Sequence, residues 1–493
     1  MNKKKQLKLF ISYSHLDEDY IEQFRKHISP LKINGFIEDW YDRKIIAGQE
    51  FQNHINNNLD DADVICLFIS ANFLSSMACI KEKKNALKLK KQNGIAVVPI
   101  ILSACGWIDD MEISQLLALP TDGSPVAEYS NPDRAWLTVY EGIKSAVEQE
   151  YKIRQLDITE QTKNFLESTE LLAKSHSQKN IVLLEDIFVN PELAKFDDLR
   201  EYESKVNLSE LIEDIFEYPN ILIAGENQSG KTTICKKIFI ALREKKYIPI
   251  YIRVENNRDI GKIENRILTA FKEQYIGLPI EEIDKHRIIP IIDDFYFAKN
   301  KEKLISNLSS YSHQIVMVDD IFSLNIKDDT ILKTFTHFRI LEFSPSLRNQ
   351  IINKWTHLTD KKNGFGSDEN KIYENIDNTT ELVNAALGKA FGSGIMPAYP
   401  FFILSVINIY QTYGRPLDQE ITSQGYCYQA LIYMHLRKQG VQNDEIDTYI
   451  NFLTEFSFYF YTGKKINFQK MNLIAFLSLT MTNIIYLSIQ RIS

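Results

Sequence analysis

Paired cysteines are missing from this chain. Its five, Cys66, Cys79, Cys105, Cys235 and Cys427, are scattered through 493 residues without a CxxC spacing. That pattern excludes an obvious zinc site and suits a reducing, cytoplasmic setting. A basic excess is missing too: 57 Lys and Arg stand against 65 Asp and Glu, a formal net charge of −8 with a pI near 5.7. A chain built mainly to coat nucleic acid carries the opposite balance, so no nucleic-acid partner is expected. The apolar run within Met1–Ser14 is short and leads into polar His15–Asp19, unlike a signal peptide. Self-similarity at periods of about 34 or 40 residues, the mark of common solenoid arrays, is absent.

What remains is an ordinary globular composition, 44% hydrophobic and 25% charged, over a length that suggests about three domains. The most informative stretch is Asn220–Thr233, NILIAGENQSGKTT. An apolar run leads into Gly225-x-x-x-x-Gly230-Lys231-Thr232, and a helical pattern follows from Thr233 to Leu242. A strand, a glycine-rich turn and a helix in that order let backbone N–H groups and the helix dipole converge on phosphate oxygens. Lys231 then neutralises β/γ-phosphate charge, and Thr232 offers a hydroxyl to Mg²⁺. Gly225, Gly230, Lys231, Thr232 and Thr233 are the expected ATP- or ADP-binding residues. Arg287–Phe295 (RIIPIIDDF) is an apolar strand ending in two carboxylates. Asp293 is expected to hold the Mg²⁺ together with Thr232, and Asp294 to position the attacking water.

The N-terminal third alternates strands and helices. Strands are predicted at 7–13, 36–41, 63–70 and 95–102, with helical spacing over 17–31, which implies an α/β fold with a parallel sheet. Ser76, Cys79 and Glu82 recur every third residue, so on a helix they share one face. That helix starts just beyond the carboxyl end of the 63–70 strand, where open α/β sheets bind ligands. The segments FISYSHLDED at 10–19, WYDRKIIAGQEF at 40–51 and SANFLSSMACIKE at 70–82 resemble a bacterial TIR domain, as does 119–143 in character. Many members carry Trp before the Cys, where this chain has Ala78. The resemblance implies that Glu82 is essential for NAD⁺ cleavage and that Ser76 and Cys79 lie in the NAD pocket. It further implies that Ser12 and Tyr13 line the pocket floor, and that Trp40, Tyr41, Asp42 and Arg43 contribute pocket and assembly contacts. From the residues alone, Glu82 reads as a solvated glutamate among Lys81, Lys83 and Lys84, Cys79 as a small packed residue, and Trp40 and Tyr41 as either packing at a strand end or ligand contacts.

Residues 150–180 are polar and read as a helical linker. The apolar run from Asn180, followed by Val-Asn-Pro, resembles the opening segment of STAND-type NTPases, a branch of the AAA+-related P-loop ATPases. Gln314–Asp320 reads as a further parallel strand with Asp319 and Asp320 undecided, 338–343 as the last strand, and 344–355 as a helix begun by Pro345. The expected organisation is a flavodoxin-like TIR domain with a parallel sheet (1–150), a helical linker (151–180), a P-loop NTPase core (181–360), a helical lid or winged-helix region (361–463) and an apolar segment (464–493). Within the last, Met471–Ile489 holds no charge over nearly the length of a membrane span. It reads as a buried terminal helix, a span or the product of a broken reading frame.

Together the two resemblances imply a cytoplasmic, nucleotide-gated effector. Assembly through its TIR and NTPase domains would start hydrolysis of NAD⁺ to nicotinamide and ADP-ribose or a cyclic form, as in anti-phage defence. The trigger is open, a phage protein being one candidate. The alternative is a non-enzymatic TIR adaptor whose assembly the ATPase gates.

Overall fold

The structure, a computed structural model, describes residues 6–41, 58–169, 181–197, 201–254, 263–299, 301–319, 333–358 and 397–413, together with 377, 380–381, 432, 436, 441, 445–446 and 448–454. They fall into two compact units, one of 1–168 with 188–347 and one of 169–187 with 348–493.

The predicted N-terminal strands all form: β1 (Leu7–Ser12), β2 (Ile37–Tyr41), β3 (Val64–Ile69) and β4 (Ala96–Ile101) make a parallel sheet in the order β2-β1-β3-β4. Every residue of β3 is buried, because helices cover both faces of the sheet. On one face lie α1 (Glu18–Ile33), which buries Ile21, Phe24, Ile28 and Leu31, and α4 (Pro132–Arg154), which buries Trp136, Val139, Ile143 and Val147. On the other lie α2 (Ala71–Ser75) and α3 (Met77–Asn93), which bury Phe73, Cys79 and Ala86. The strand order reverses direction between β1 and β3, and loops leaving the carboxyl ends of those strands open the crevice where such sheets bind ligands.

Of the expected helical linker, 170–180 lie outside the described residues, and the part before them holds two helices with a break between. α4 ends at Arg154, and β5 (Asp157–Ile158) then pairs antiparallel with β10 (Tyr275–Ile276). Thr159 caps a new helix, α5 (Glu160–Glu167), with its hydroxyl accepting from Thr162 N–H. Leu156 is buried, so the chain is drawn inward there and the helix breaks. Gly277 permits this approach: its φ is 121°, and a Cβ there would sit 2.7 Å from the Gln155 carbonyl oxygen. The apolar run after Asn180 is likewise not a strand. Leu184–Ile187 is a helical turn with both end residues buried, and the strand falls later.

That strand, β6 (Glu192–Asp197), forms a hairpin with β7 (Glu201–Asn207) at the edge of the second sheet, whose order is β7-β6-β13-β8-β12-β11-β9. The other members are β8 (Asn220–Ala224), β9 (Ile248–Arg253), β11 (Ile288–Asp293), β12 (Gln314–Val318) and β13 (Thr336–Ile340), mutually parallel. β13 lies two residues earlier than predicted, because its bounds follow its pairing with β8 on one side and β6 on the other. β12 separates β8 from β11, so residues following the first strand and ending the third must converge across it. Helix α6 (Lys231–Glu244) follows β8, and α7 (Ile263–Gln274) follows β9.

The two sheets meet through a charged base. Asp63, at the foot of β3, accepts from Lys246 Nζ at 2.8 Å, Arg154 Nη2 at 2.5 Å and Lys8 N–H at 2.8 Å. Glu150 of α4 pairs with Arg287 at the foot of β11, both buried. A Cβ at Gly94 would lie 3.2 Å from the Tyr247 ring. Pro345 starts α8 (Pro345–Thr356) as predicted, and in the second unit Pro400 starts α9 (Pro400–Tyr413), which buries Ile403, Leu404 and Ile407. Most of 361–463, where the winged-helix region is expected, lies outside the described residues, as does all of 464–493. Among the described residues no helix is long and apolar enough to cross a membrane.

Candidate functional site

Two constellations stand at carboxyl ends of strands. In the first sheet Glu82 lies in the second turn of α3, buried at 6% exposure. Ser12, the last residue of β1, donates its hydroxyl to Glu82 Oε2 at 2.5 Å. The carboxylate therefore faces the crevice between β1 and β3 and not the lysines beside it in sequence. Ser70 caps α2 and Ser76 caps α3, and the break between them turns the second helix so that Cys79 and Glu82 point inward. Cys79 donates its thiol proton to the Tyr13 carbonyl at 3.4 Å, tying α3 to the end of β1.

Of the other predicted pocket residues, Tyr13 turns its ring into the core beneath α1, and its hydroxyl donates to Glu18 at 2.6 Å. Ser76 is half-buried and spends its hydroxyl on the Cys79 N–H. Trp40 and Tyr41 end β2, on the far side of β1 from β3. Asp42 and Arg43 lie outside the described residues.

Two participants carried no cue in the sequence. Asp17 is buried and accepts from Ser70 Oγ at 2.5 Å and Asn72 Nδ2 at 2.8 Å, locking the loop after β1 to the loop after β3. Lys83, next to Glu82, is buried and reaches Asp110 at 2.5 Å and Glu112 at 3.4 Å in the connection after β4. A lysine within a run of lysines gives no hint of that burial.

In the second sheet the loop Gly225–Gly230 turns through Gln228 (φ 65°) and Gly230 (φ 99°) into α6. A Cβ on Gly225 would meet Ser229 Oγ at 2.5 Å and Ile340 Cδ1 at 2.8 Å, so only glycine fits. Lys231 Nζ donates to the carbonyls of Gly225 and Glu226 at 2.6 and 2.8 Å, which holds the ammonium over the loop. Ser229 Oγ is buried and has no hydrogen-bond partner among the described residues. Thr232 and Asp293 meet across β12: the threonine hydroxyl donates to Asp293 Oδ2 at 2.7 Å.

The Tyr251 hydroxyl donates to the same oxygen at 2.9 Å, and Arg253 Nε donates to Asp294 Oδ2 at 2.8 Å. Neither partner was legible, since both lie on β9, a strand with no motif of its own. Burial pushes the Asp293 carboxyl above the ordinary aspartate value, with the hydroxyls of Thr232 and Tyr251 acting the other way. A half-buried hydroxyl and a buried carboxylate side by side, with an ammonium and a tight glycine turn, fit a Mg-bound polyphosphate. Thr233 lies half-buried on the next position of α6. Asp320 lies outside the described residues.

Residues 9–126 match the family model described as TIR domain. A curated relative, the uncharacterized protein y4lF of Sinorhizobium fredii, is 37% identical over 139 residues, which is 28% of this chain and 43% of that protein's length. The chain thus spans less than half of the curated relative it matches. Solved structures with similarity include domain III of the Thermotoga maritima replication initiation protein DnaA, with 19% identity and TM-score 0.26 over 44% of this chain and 86% of that one. AMPPCP-bound DnaA from Aquifex aeolicus has 15% identity and TM-score 0.23 over 49% of this chain and 80% of that one. Overlaps this low do not bear on the fold, which rests on the strand order and the loop. The N-terminal sheet is a TIR domain, and an α/β P-loop fold follows it in the same chain.

Proposed function

We propose that this chain is a nucleotide-gated NAD⁺ hydrolase, with a TIR effector controlled by a STAND-type ATPase module, acting in the cytoplasm in anti-phage defence. The observation that carries this reading is Glu82: a buried carboxylate, positioned by Ser12 at the β1/β3 crevice of a TIR domain. A carboxylate there holds ribose hydroxyls and stabilises the oxocarbenium-like charge that develops as a leaving group departs. In NAD⁺ the bond between ribose C1′ and the pyridinium nitrogen breaks. Its electron pair leaves with nicotinamide, and water adds to C1′ with loss of a proton to give ADP-ribose. A ribose hydroxyl or adenine nitrogen in place of water gives a cyclic form.

The P-loop module supplies control. Lys231 and the backbone of 225–230 bind the phosphates of ATP or ADP, and Thr232 with Asp293 would hold Mg²⁺, which screens phosphate charge. Self-association through the TIR and NTPase domains, set off by a trigger such as a phage protein, completes the TIR pockets.

The test follows nicotinamide release from NAD⁺ by the assembled full-length protein. Glu82→Gln is expected to lower the rate by at least about a hundredfold, the usual weight of a positioned electrostatic group. Equal release by both proteins overturns the role of Glu82, and silence of the wild type at high concentration favours the adaptor reading. Lys231→Ala is expected to abolish ATP binding in either case, read by equilibrium dialysis.

A further inference from the structure

Between the TIR sheet and the P-loop sheet the chain passes through α5, which the helix of the P-loop holds at one end and α7 at the other. Lys236 stands one turn along α6 from Thr232 and is buried at 2% exposure. Its ammonium donates to the carbonyl and hydroxyl of Ser168, the C-cap of α5, at 3.0 and 3.2 Å, and lies 4.5 Å from the centre of the Phe165 ring. A cation at a helix C-terminus and over an aromatic face is favoured twice.

From the other side, the Phe165 ring packs 4.9 Å from that of Tyr251, whose hydroxyl bonds Asp293. The Gln274 side chain bonds both backbone groups of Tyr251, and the Gln274 carbonyl accepts from Thr159 N–H at the start of α5. Just upstream, Arg243 of α6 donates to the Leu156 carbonyl at 2.7 Å.

We propose that α5 is the coupling element through which nucleotide and Mg²⁺ at the P-loop act on the TIR domain. This rests on the nucleotide-gated reading above and names its transmitting part. The physical reason is competition at one atom. Asp293 Oδ2 accepts from both Thr232 and Tyr251, so a divalent cation that takes this oxygen competes with both hydroxyls, the tyrosine's included. The tyrosine ring is in contact with that of Phe165, so a shift of the one alters its packing on the other. The bound and free states then differ in contacts with α5, which is what coupling requires.

The test is amide hydrogen exchange on the full chain with and without ATP and Mg²⁺. Exchange at 160–168 is expected to change together with protection of 225–232. In Phe165→Leu and Lys236→Met the change at 160–168 is expected to vanish while ATP affinity stays within about threefold of wild type. Nucleotide control of nicotinamide release is expected to fall at least about fivefold in the same variants. Protection of 225–232 in the wild type with unchanged exchange at 160–168 overturns the coupling and leaves the nucleotide site standing. Failure of the wild type to bind ATP overturns both. The wild-type comparison decides even if a variant does not fold.

Discussion

Glu82 and Asp293 are both buried carboxylates, yet their hydrogen-bond partners give them different work. Glu82 accepts from Ser12 in a crevice between strands, a setting for stabilising positive charge in a substrate. Asp293 accepts from Thr232 and Tyr251 beside a phosphate-binding turn, a setting for a hard cation. If Asp293 holds Mg²⁺ as proposed, it does so in its charged form, and Mg-dependent ATP affinity is expected to be full above its pKa and lost as pH falls through it. Burial raises that pKa, and the Tyr251 hydroxyl lowers it by bonding the charged form. Tyr251→Phe is therefore expected to move the acid loss of Mg-dependent ATP binding to higher pH, and an unmoved midpoint would contradict this assignment. Gly225→Ala is expected to destabilise the protein by about 1–3 kcal/mol, because its methyl group would overlap Ser229 and Ile340. Thermal or denaturant unfolding reads that directly.

Among the elements, α3 shows how one helix serves two ends. Its inward face presents Cys79 and Glu82 to β1, while Lys83 holds the connection after β4 through Asp110 and Glu112. Burial alone would raise the Asp110 carboxyl, but Lys83 and the N–H groups of Glu112 and Ile113 outweigh it and lower the pKa. Lys83→Met is expected to cost about 1–3 kcal/mol, because it leaves the half-buried Asp110 without its cation. Faster amide exchange across 107–116, with the α3 helix intact, is the accompanying signature. The connector shows what the sequence hid. Its polar composition reads as helical, and nothing in it marks the break at 155–159, where Leu156 is buried and Gly277 admits Gln155. The hairpin β6–β7 was hidden for a similar reason, because its ladder partner β13 lies about 140 residues away and no local pattern announces such pairing.

At the level of the joined sheets, the charged base fixes one fold against the other. Arg287→Ala leaves Glu150 buried without its cation and is expected to destabilise the sheet junction by about 3–5 kcal/mol. Adding Glu150→Gln is expected to restore much of that loss, as a double-mutant unfolding cycle would reveal. Burial raises the Asp63 carboxyl, but Lys246, Lys8 and Arg154 together outweigh it and lower its pKa below the ordinary 3.8. A lowered folded-state value means this contribution is complete above 3.8 and is lost as pH falls through the lower folded value. Lys246→Ala is expected to flatten that acid-side loss, measured as unfolding free energy against pH.

Local chemistry was enough to show the four N-terminal strands, the glycine turn with Lys231 and Thr232, and the acidic strand end, because periodicity and backbone geometry act over a few residues. Glu82 was legible as a candidate, but its setting was not: a glutamate among lysines becomes buried only when the break at Ser76 turns α3 toward Ser12. Asp17, Tyr251, Arg253 and Lys236 acquire their roles from partners 40 to 70 residues away, after folding has brought them together. Sequence order decides which elements form. Burial and long-range pairing decide which side chains meet, since only a packed interior removes the water that would otherwise satisfy each polar group separately.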